Sequence, residues 1–275
     1  MLTGLKDILS IAEKKGFAVP AFNTYNMETV MGIAEAAEEL SAPVIIQCYS
    51  RLFSSKEGYF VSPIILAAAE KVSVPVCFHL DHSSGSEPVT RALRYGATGI
   101  MIDASANEFE KNVKITKNTV DTCAYLGIGV EGELGHVGTV NDEKTDDYTN
   151  ADEAAEFVRA TGVDALAILV GTAHGRYKKA PRLDIDRIRD IKKSTGIPLV
   201  LHGGSGVPDD QIRAAIDAGI KKINFGTDVC YSFLDKVFET SRDKIAIDLF
   251  MKDAIESVKQ FAAEKIKLLG ADNKA

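Results

Sequence analysis

Eight short apolar runs punctuate this chain of 275 residues, beginning near Phe17, Ala42, Val74, Thr98, Ile128, Val163, Ile197 and Ile220. Their spacing constrains the fold more than any other feature. They do not alternate strictly between apolar and polar, as Leu166-Ala167-Ile168-Leu169-Val170 shows, and strands covered on both faces read this way. Helical periodicities lie between them. Met27 to Leu40 places Ile33, Ala36, Ala37 and Leu40 on one stripe, and Asn107 to Leu126 is expected to turn Phe109, Val113, Val120 and Ala124 inward. Asn150 suits an N-cap, and Pro208-Asp209-Asp210 suits a first helical turn. Eight strands alternating with helices predict an α/β fold, a (β/α)8 TIM barrel, rather than an open doubly wound sheet. One domain over residues 1–275 fits the ~250 residues of such barrels. A further helix is expected over 247–269, beyond the eighth repeat.

The totals narrow the function classes. A net charge of −7 argues against nucleic acid and membrane surfaces as partners. No apolar stretch approaches the ~20 residues of a membrane span. The start, Met1 to Asp7, reads as an amphipathic helix rather than a signal peptide. Cys48, Cys77, Cys123 and Cys230 form no CxxC pair, so a reducing cytoplasm without disulfides is expected.

All five histidines, His79, His82, His136, His174 and His202, fall at or just beyond the ends of apolar runs. A barrel builds its active site where its strands stop, and imidazole is the commonest metal ligand. Three of them at separate strand ends, His82, His174 and His202, would leave one position on a cation open, the pattern of catalytic zinc. Three imidazoles favour Zn²⁺ over Mg²⁺. Helix-capping or core histidines are the plainer alternative. Asp81, one residue before His82, is either a general acid–base group or a turn residue holding a histidine. His79, an odd number of residues from His82 on one strand, is expected to point to the other side and to be structural. The runs Gly171-Thr172-Ala173-His174-Gly175 and His202-Gly203-Gly204-Ser205-Gly206 are ordinary βα turns or, with Thr227, a phosphate cradle.

Taken together, the blocks Pro20-Ala21-Phe22-Asn23, His79-Leu80-Asp81-His82, Met101-Ile102-Asp103-Ala104-Ser105, Val130 to Gly135, Gly171 to Gly175, His202 to Gly206 and Asn224-Phe225-Gly226-Thr227 resemble the class II, metal-dependent ketose-bisphosphate aldolases. The resemblance runs from about Ala18 to Lys267 and implies a TIM barrel. It implies that His82, His174 and His202 hold zinc, with Glu133 an alternate ligand or close partner and Asp103 and Glu131 nearby. It gives Asp81 the proton at the C4 hydroxyl or aldehyde oxygen, and Asn224 the enediolate. Asn23, Gly175, Gly203, Gly204, Ser205, Gly226 and Thr227 would bind substrate, chiefly the phosphate of dihydroxyacetone phosphate. Some members place a monovalent cation, Na⁺ or K⁺, on carbonyls around Ala173, Gly175 and Gly203. The implied reaction is reversible cleavage of a ketose 1-phosphate or 1,6-bisphosphate to dihydroxyacetone phosphate and an aldehyde, by a homodimer or homotetramer.

The sequence also departs from that pattern. The long polar loop from Gly135 to Asn150 carries Asn141 where the family has a glutamate that exchanges a proton on the dihydroxyacetone carbon. Asp142 or Glu143 is expected to replace it. Ser83 and Gly226 are likewise unusual, so the ordinary fructose bisphosphate is not assured as the substrate. The ELGHVG form and the C-terminal end resemble a divergent branch acting on ketose phosphates with long or acidic tails, for which Arg51, Arg176, Lys178 and Lys179 are candidate anion readers. Two other readings stay open: another zinc barrel enzyme (an epimerase or hydrolase), and a phosphosugar-binding protein without turnover.

Overall fold

The computed structural model describes residues 1–137, 139, 148–175, 177 and 180–275. Eight parallel strands close into one barrel in chain order: β1 (Val19–Asn23), β2 (Val44–Tyr49), β3 (Val76–Ser83), β4 (Gly99–Ile102), β5 (Gly129–Leu134), β6 (Ala165–Ile168), β7 (Leu199–Leu201) and β8 (Ile220–Phe225). The seam is β1 against β8, with Ala21 opposite Asn224. Each strand matches one of the eight runs, and β1 and β4 to β8 are buried along their whole length.

Helix α1 (Leu5–Lys15) precedes the barrel and closes its N-terminal end. Gly99 and Gly129 admit it: a Cβ there would lie 3.0 and 3.2 Å from Leu5 Cβ. The helices that follow are α2 (Met27–Glu39), α3 (Ser50–Phe53), α4 (Glu57–Lys71), α5 (Ser86–Arg94), α6 (Phe109–Ala124), α7 (Ala151–Thr161), α8 (Ile185–Thr195), α9 (Asp209–Ala218), α10 (Thr227–Glu239) and α11 (Ile247–Leu268). Asn150 caps α7 by accepting from the amides of Asp152 and Glu153. Asp209 and Asp210 open the first turn of α9 as expected, while Pro208 stands one position earlier, at the N-cap. Helix α11 is the expected extra helix. It packs so closely on α2 that a Cβ at Gly32 would meet the Ile255 carbonyl at 2.7 Å, and its Phe261 ring lies against Phe22 and Phe225 across the seam.

The inward face of α6 differs from expectation. Its fully buried stripe is Asn112, Thr116, Thr119 and Cys123; Phe109, Val113 and Val120 are half-buried and Ala124 is exposed. The reason is a polar contact beneath the helix. Asn112 Nδ2 donates to the Glu133 carbonyl at 2.9 Å, and Thr116 donates to Asn112 Oδ1 at 3.1 Å. An unpaired carbonyl in that place would be costly, so hydrogen bonding overrides the apolar stripe.

Candidate active site

The C-terminal ends of the strands surround a cavity of about 650 Å³. That volume is ordinary for a small-molecule site, which spans roughly 300–1,000 Å³. Asn23, Asp81, His82, His174, Gly175, Gly203, Ser205, Asn224, Gly226 and Thr227 all line it. His202 and Glu133 lie behind that lining, fully buried. Asp142 and Glu143, with Asn141, Arg176, Lys178 and Lys179, fall outside the described residues.

Asp81 and His82 both reach the cavity because β3 breaks its own alternation. His79 and Asp81, two residues apart, point into the barrel, and a regular strand would send His82 outward. His82 instead has φ +48°, a left-handed backbone that costs an ordinary residue about 1–3 kcal/mol. The pairing with β4 shifts register between Leu80 and Ser83, and Ser83 repairs the gap by donating its hydroxyl to the Met101 carbonyl. His79 therefore does not point away from His82, as alternation predicts. It is wholly buried in the barrel interior, with Nε2 3.5 Å from Glu131 Oε2.

The three imidazoles converge. The ring centroids of His174 and His202 lie 4.9 and 4.6 Å from that of His82, and one nitrogen of each lies within 4.8 Å of the others. His202 Nε2 faces Glu131 Oε1 at 2.8 Å, and His82 Nδ1 faces Asp103 Oδ2 at 2.9 Å. Carboxylates only accept, so these two nitrogens carry the hydrogens. That leaves lone pairs on His82 Nε2 and His202 Nδ1, which point at each other 2.8 Å apart. Two lone pairs at that distance repel unless a cation or a proton lies between them. His174 Nε2 is buried beside them with no hydrogen-bond partner among the described residues. The donor set therefore fits a divalent metal such as zinc. Glu133 approaches the same nitrogen of His82 as Asp103 does, with Oε2 4.0 Å from Nδ1, and His82, Asp103 and Glu133 form a second convergent triple.

The electrostatics follow the same plan. Burial lowers the His82 pKa, but the charges of Asp81, Asp103 and Glu133 overcome it and raise it to about 9. A proton then occupies the gap when no metal does. Burial and the neighbouring His82 lower His174 to about 4. Burial, His82 and Lys222 hold His202 well below the usual range. Burial and then the charge of Asp103 push Glu133 up to about 8. Asp103 is also buried, yet hydrogen bonds from His82 and Ser105 hold it below the usual carboxylate range.

Asp81 is fixed by two amides. Asn23 Nδ2 donates to Oδ2 at 2.8 Å and Asn224 Nδ2 to Oδ1 at 3.3 Å. Gln47 orients Asn23 in turn, at 2.9 Å. On the β7–β8 side, Gly203 has φ +65°, and a Cβ there would strike the Ala173 carbonyl at 2.4 Å. Tyr177 ties the two loops: its hydroxyl accepts from Ala173 N–H at 2.7 Å and shares its hydrogen between the carbonyls of Ala173 (2.8 Å) and Gly203 (3.1 Å). Opposite them, α10 begins at Thr227, which lines the cavity, and a helix start of this kind suits an anion; the Asp228 N–H already donates to Ser205 Oγ at 3.2 Å. Gly204 is not among the residues that line the cavity. It packs on Ile223, and its N–H donates to the Asn224 carbonyl at 3.1 Å, which removes that donor from the expected cradle.

Sequence reasoning passed over Tyr25, Tyr49, Cys230, Tyr231 and Leu234, which also line the cavity. The only available signal was the stripe Cys230, Tyr231 and Leu234 following Thr227 at helical spacing. Arg51, singled out in the sequence, does line the mouth, with its guanidinium 5.5 and 5.1 Å from the ring centres of Tyr25 and Tyr49.

Residues 3–274 match the family model described as fructose-bisphosphate aldolase class-II. The YdjI protein of Escherichia coli K12 is 40% identical over 279 residues, covering the whole of both chains. Its crystal structure, described as that of the YdjI aldolase, has a TM-score of 0.91 over 100% of each chain. A sulfofructosephosphate aldolase of Alkalicoccus urumqiensis is 39% identical over 282 residues, covering 98% of this chain and 97% of that one. A crystal structure of a protein from Coccidioides immitis, described as a fructose-1,6-biphosphate aldolase, has a TM-score of 0.90 at 27% identity, covering 98% and 97% of the two chains.

Proposed function

We propose, for a chain that belongs to the class II fructose-bisphosphate aldolase family and is therefore an aldolase, a zinc-dependent cleavage of a ketose 1-phosphate or 1,6-bisphosphate to dihydroxyacetone phosphate and an aldehyde. The observation that carries the metal requirement is the facing pair of imidazole lone pairs, 2.8 Å apart, beside a His174 Nε2 that has no hydrogen-bond partner among the described residues. Zn²⁺ held by His82, His174 and His202, with Glu133 as alternate ligand or close partner, would supply a Lewis acid for the ketose carbonyl and for the negative charge that builds as C3–C4 breaks.

The chain's own residues do the rest. Asp81 takes the proton of the C4 hydroxyl in cleavage and returns it to the aldehyde oxygen in condensation. Asn23 and Asn224 aim its two oxygens. Asn224 Nδ2 gives one hydrogen to Asp81 Oδ1, and its second hydrogen donates to the charge-bearing oxygen of the dihydroxyacetone fragment. Backbone amides of Gly175, Gly203 and Gly226, with Ser205 and Thr227 at the start of α10, grip the phosphate. Na⁺ or K⁺ on carbonyls near Ala173 belongs to the same reading. Asp142 or Glu143 exchanges the proton on the dihydroxyacetone carbon. Exhaustive chelation should remove activity and zinc should restore it, in a coupled assay for dihydroxyacetone phosphate over a panel of ketose phosphates. Full activity in the metal-free protein would refute the reading.

The substrate's far end is an anion, in our reading. Arg51 lies one ring beyond His82, since Tyr49 packs on His82 with centroids 5.7 Å apart and on Arg51 at 5.1 Å. It has no carboxylate partner among the described residues. A sulfonate or phosphate suits that place, and the relative from Alkalicoccus carries a sulfonated substrate in its name. The protein works as one domain over residues 1–275, in the cytoplasm, as a homodimer or homotetramer. Among the described residues no helix is long and apolar enough to cross a membrane. The exposed Phe238, Ile245, Ile247 and Leu249 on and between α10 and α11 offer the apolar surface for subunit contact, and light scattering tests it.

A further inference from the structure

Below the imidazoles, inside the barrel, lie charged groups that the cleavage leaves unused. Glu131 on β5, Lys222 on β8 and His79 on β3 expose no surface. Glu131 Oε1 meets His202 Nε2 at 2.8 Å; its Oε2 lies 2.8 Å from Lys222 Nζ, out of line for a good hydrogen bond, and 3.5 Å from His79 Nε2. Taking a carboxylate and an ammonium out of water is costly, and hydrocarbon of the same volume often serves a core better. Packing alone therefore does not account for the pair.

We propose that Glu131 and Lys222 are positioning residues for His202, an inference that rests on the metal reading above. A neutral imidazole can carry its hydrogen on either nitrogen. Only the Nε2–H form leaves Nδ1 open toward His82 Nε2, where the three imidazoles converge. Glu131 selects that form because its carboxylate can only accept. A carboxylate alone in a cavity can rotate or turn to another donor. Lys222 holds Oε2 on the β8 side and His79 closes its third side, so Oε1 is left facing β7. His82 is oriented separately by Asp103, which makes it an internal control.

The test uses the full-length protein, Zn²⁺ as the probe, and two readouts other than turnover. In the zinc-loaded wild type, long-range ¹H–¹⁵N imidazole spectra should show His202 protonated at Nε2 and His82 at Nδ1. The double variant Glu131→Leu with Lys222→Met removes both charges together, so no unpaired charge is left buried. It should fold by circular dichroism, bind zinc about 10–100-fold more weakly in competition with a chelator, and lose the His202 Nε2–H signal while His82 keeps its own. A wild-type His202 protonated at Nδ1 overturns the proposal whether or not the variant folds. So does a folded variant with wild-type zinc affinity, which leaves the metal reading intact. A wild type that binds no zinc overturns both.

Discussion

On the β3–β5–β7 side of the cavity, charge is locked in pairs. His82 faces Asp103, His202 faces Glu131, and Lys222 backs Glu131, all with little or no exposed surface. On the β1–β2–α10 side, Arg51 is exposed over two tyrosine rings, and Leu234 is 42% exposed. Paired, buried groups keep one geometry because moving one of them away from its partner leaves a charge or polar atom alone in the interior. The open wall carries no such penalty and can change with the sugar. The first wall thus suits a fixed chemistry and the second a variable substrate.

That division can be broken most severely at the locked wall. His202→Ala should abolish tight zinc binding. Losing a Lewis-acid contribution of several kcal/mol lowers kcat/KM by roughly 10³-fold or more. Retention of zinc and activity would show that His202 is only a core residue. Asp81→Asn keeps the shape but not the base, so kcat should fall about 10²–10⁴-fold while zinc affinity holds. At the open wall, Arg51→Ala should raise KM about 10–100-fold for a substrate with a distal anion, the worth of one charged hydrogen bond. A ketose 1-phosphate with a neutral tail should be unaffected, and equal losses on both would end the distal-anion reading.

The smallest effect concerns pH and the metal-free protein. His174, held at about 4 rather than 6.5, stays neutral in the fold, so the stability it represents is complete above pH 6.5 and drains as pH falls toward 4. His82, raised to about 9, acts in the opposite sense: its contribution is full below 6.5 and is lost as pH rises toward 9. Glu133, raised from 4.5 to about 8, loses its contribution from pH 4.5 upward; below 6.5 His202, which burial also keeps neutral, joins His174 and outweighs that loss. The slope is at most about 1.4 kcal/mol per pH unit per group. Tm of the chelated protein should therefore peak near pH 6.5, and a flat profile would contradict the charge pattern of the locked wall.

Much of this was legible in the chain. The eight strands were readable because burial on both faces leaves unbroken apolar runs, and His82, His174 and His202 stood at their ends. What was not legible came from contacts across the barrel. Nothing near Lys222 in sequence says that it meets Glu131, because only closure brings β5 and β8 residues together through the interior. The inward turn of His82 depends on a left-handed backbone that its own residue type does not demand. The buried face of α6 follows a carbonyl of β5 rather than its own periodicity.

The β1–β8 seam also sets a timetable. Asn23 sits at the end of the first strand and Asn224 near the end of the last, and both bond to Asp81. Until the ribosome has released residue 224, Asp81 lacks one of its two amides and the barrel has two open edges. Pairings this distant in sequence are slow to form. Helix α11, which follows β8 and α10 in the chain, then fastens Phe261 over Phe22 and Phe225. A chain made only as far as residue 223 therefore lacks the closed seam and one of the two amides that aim Asp81.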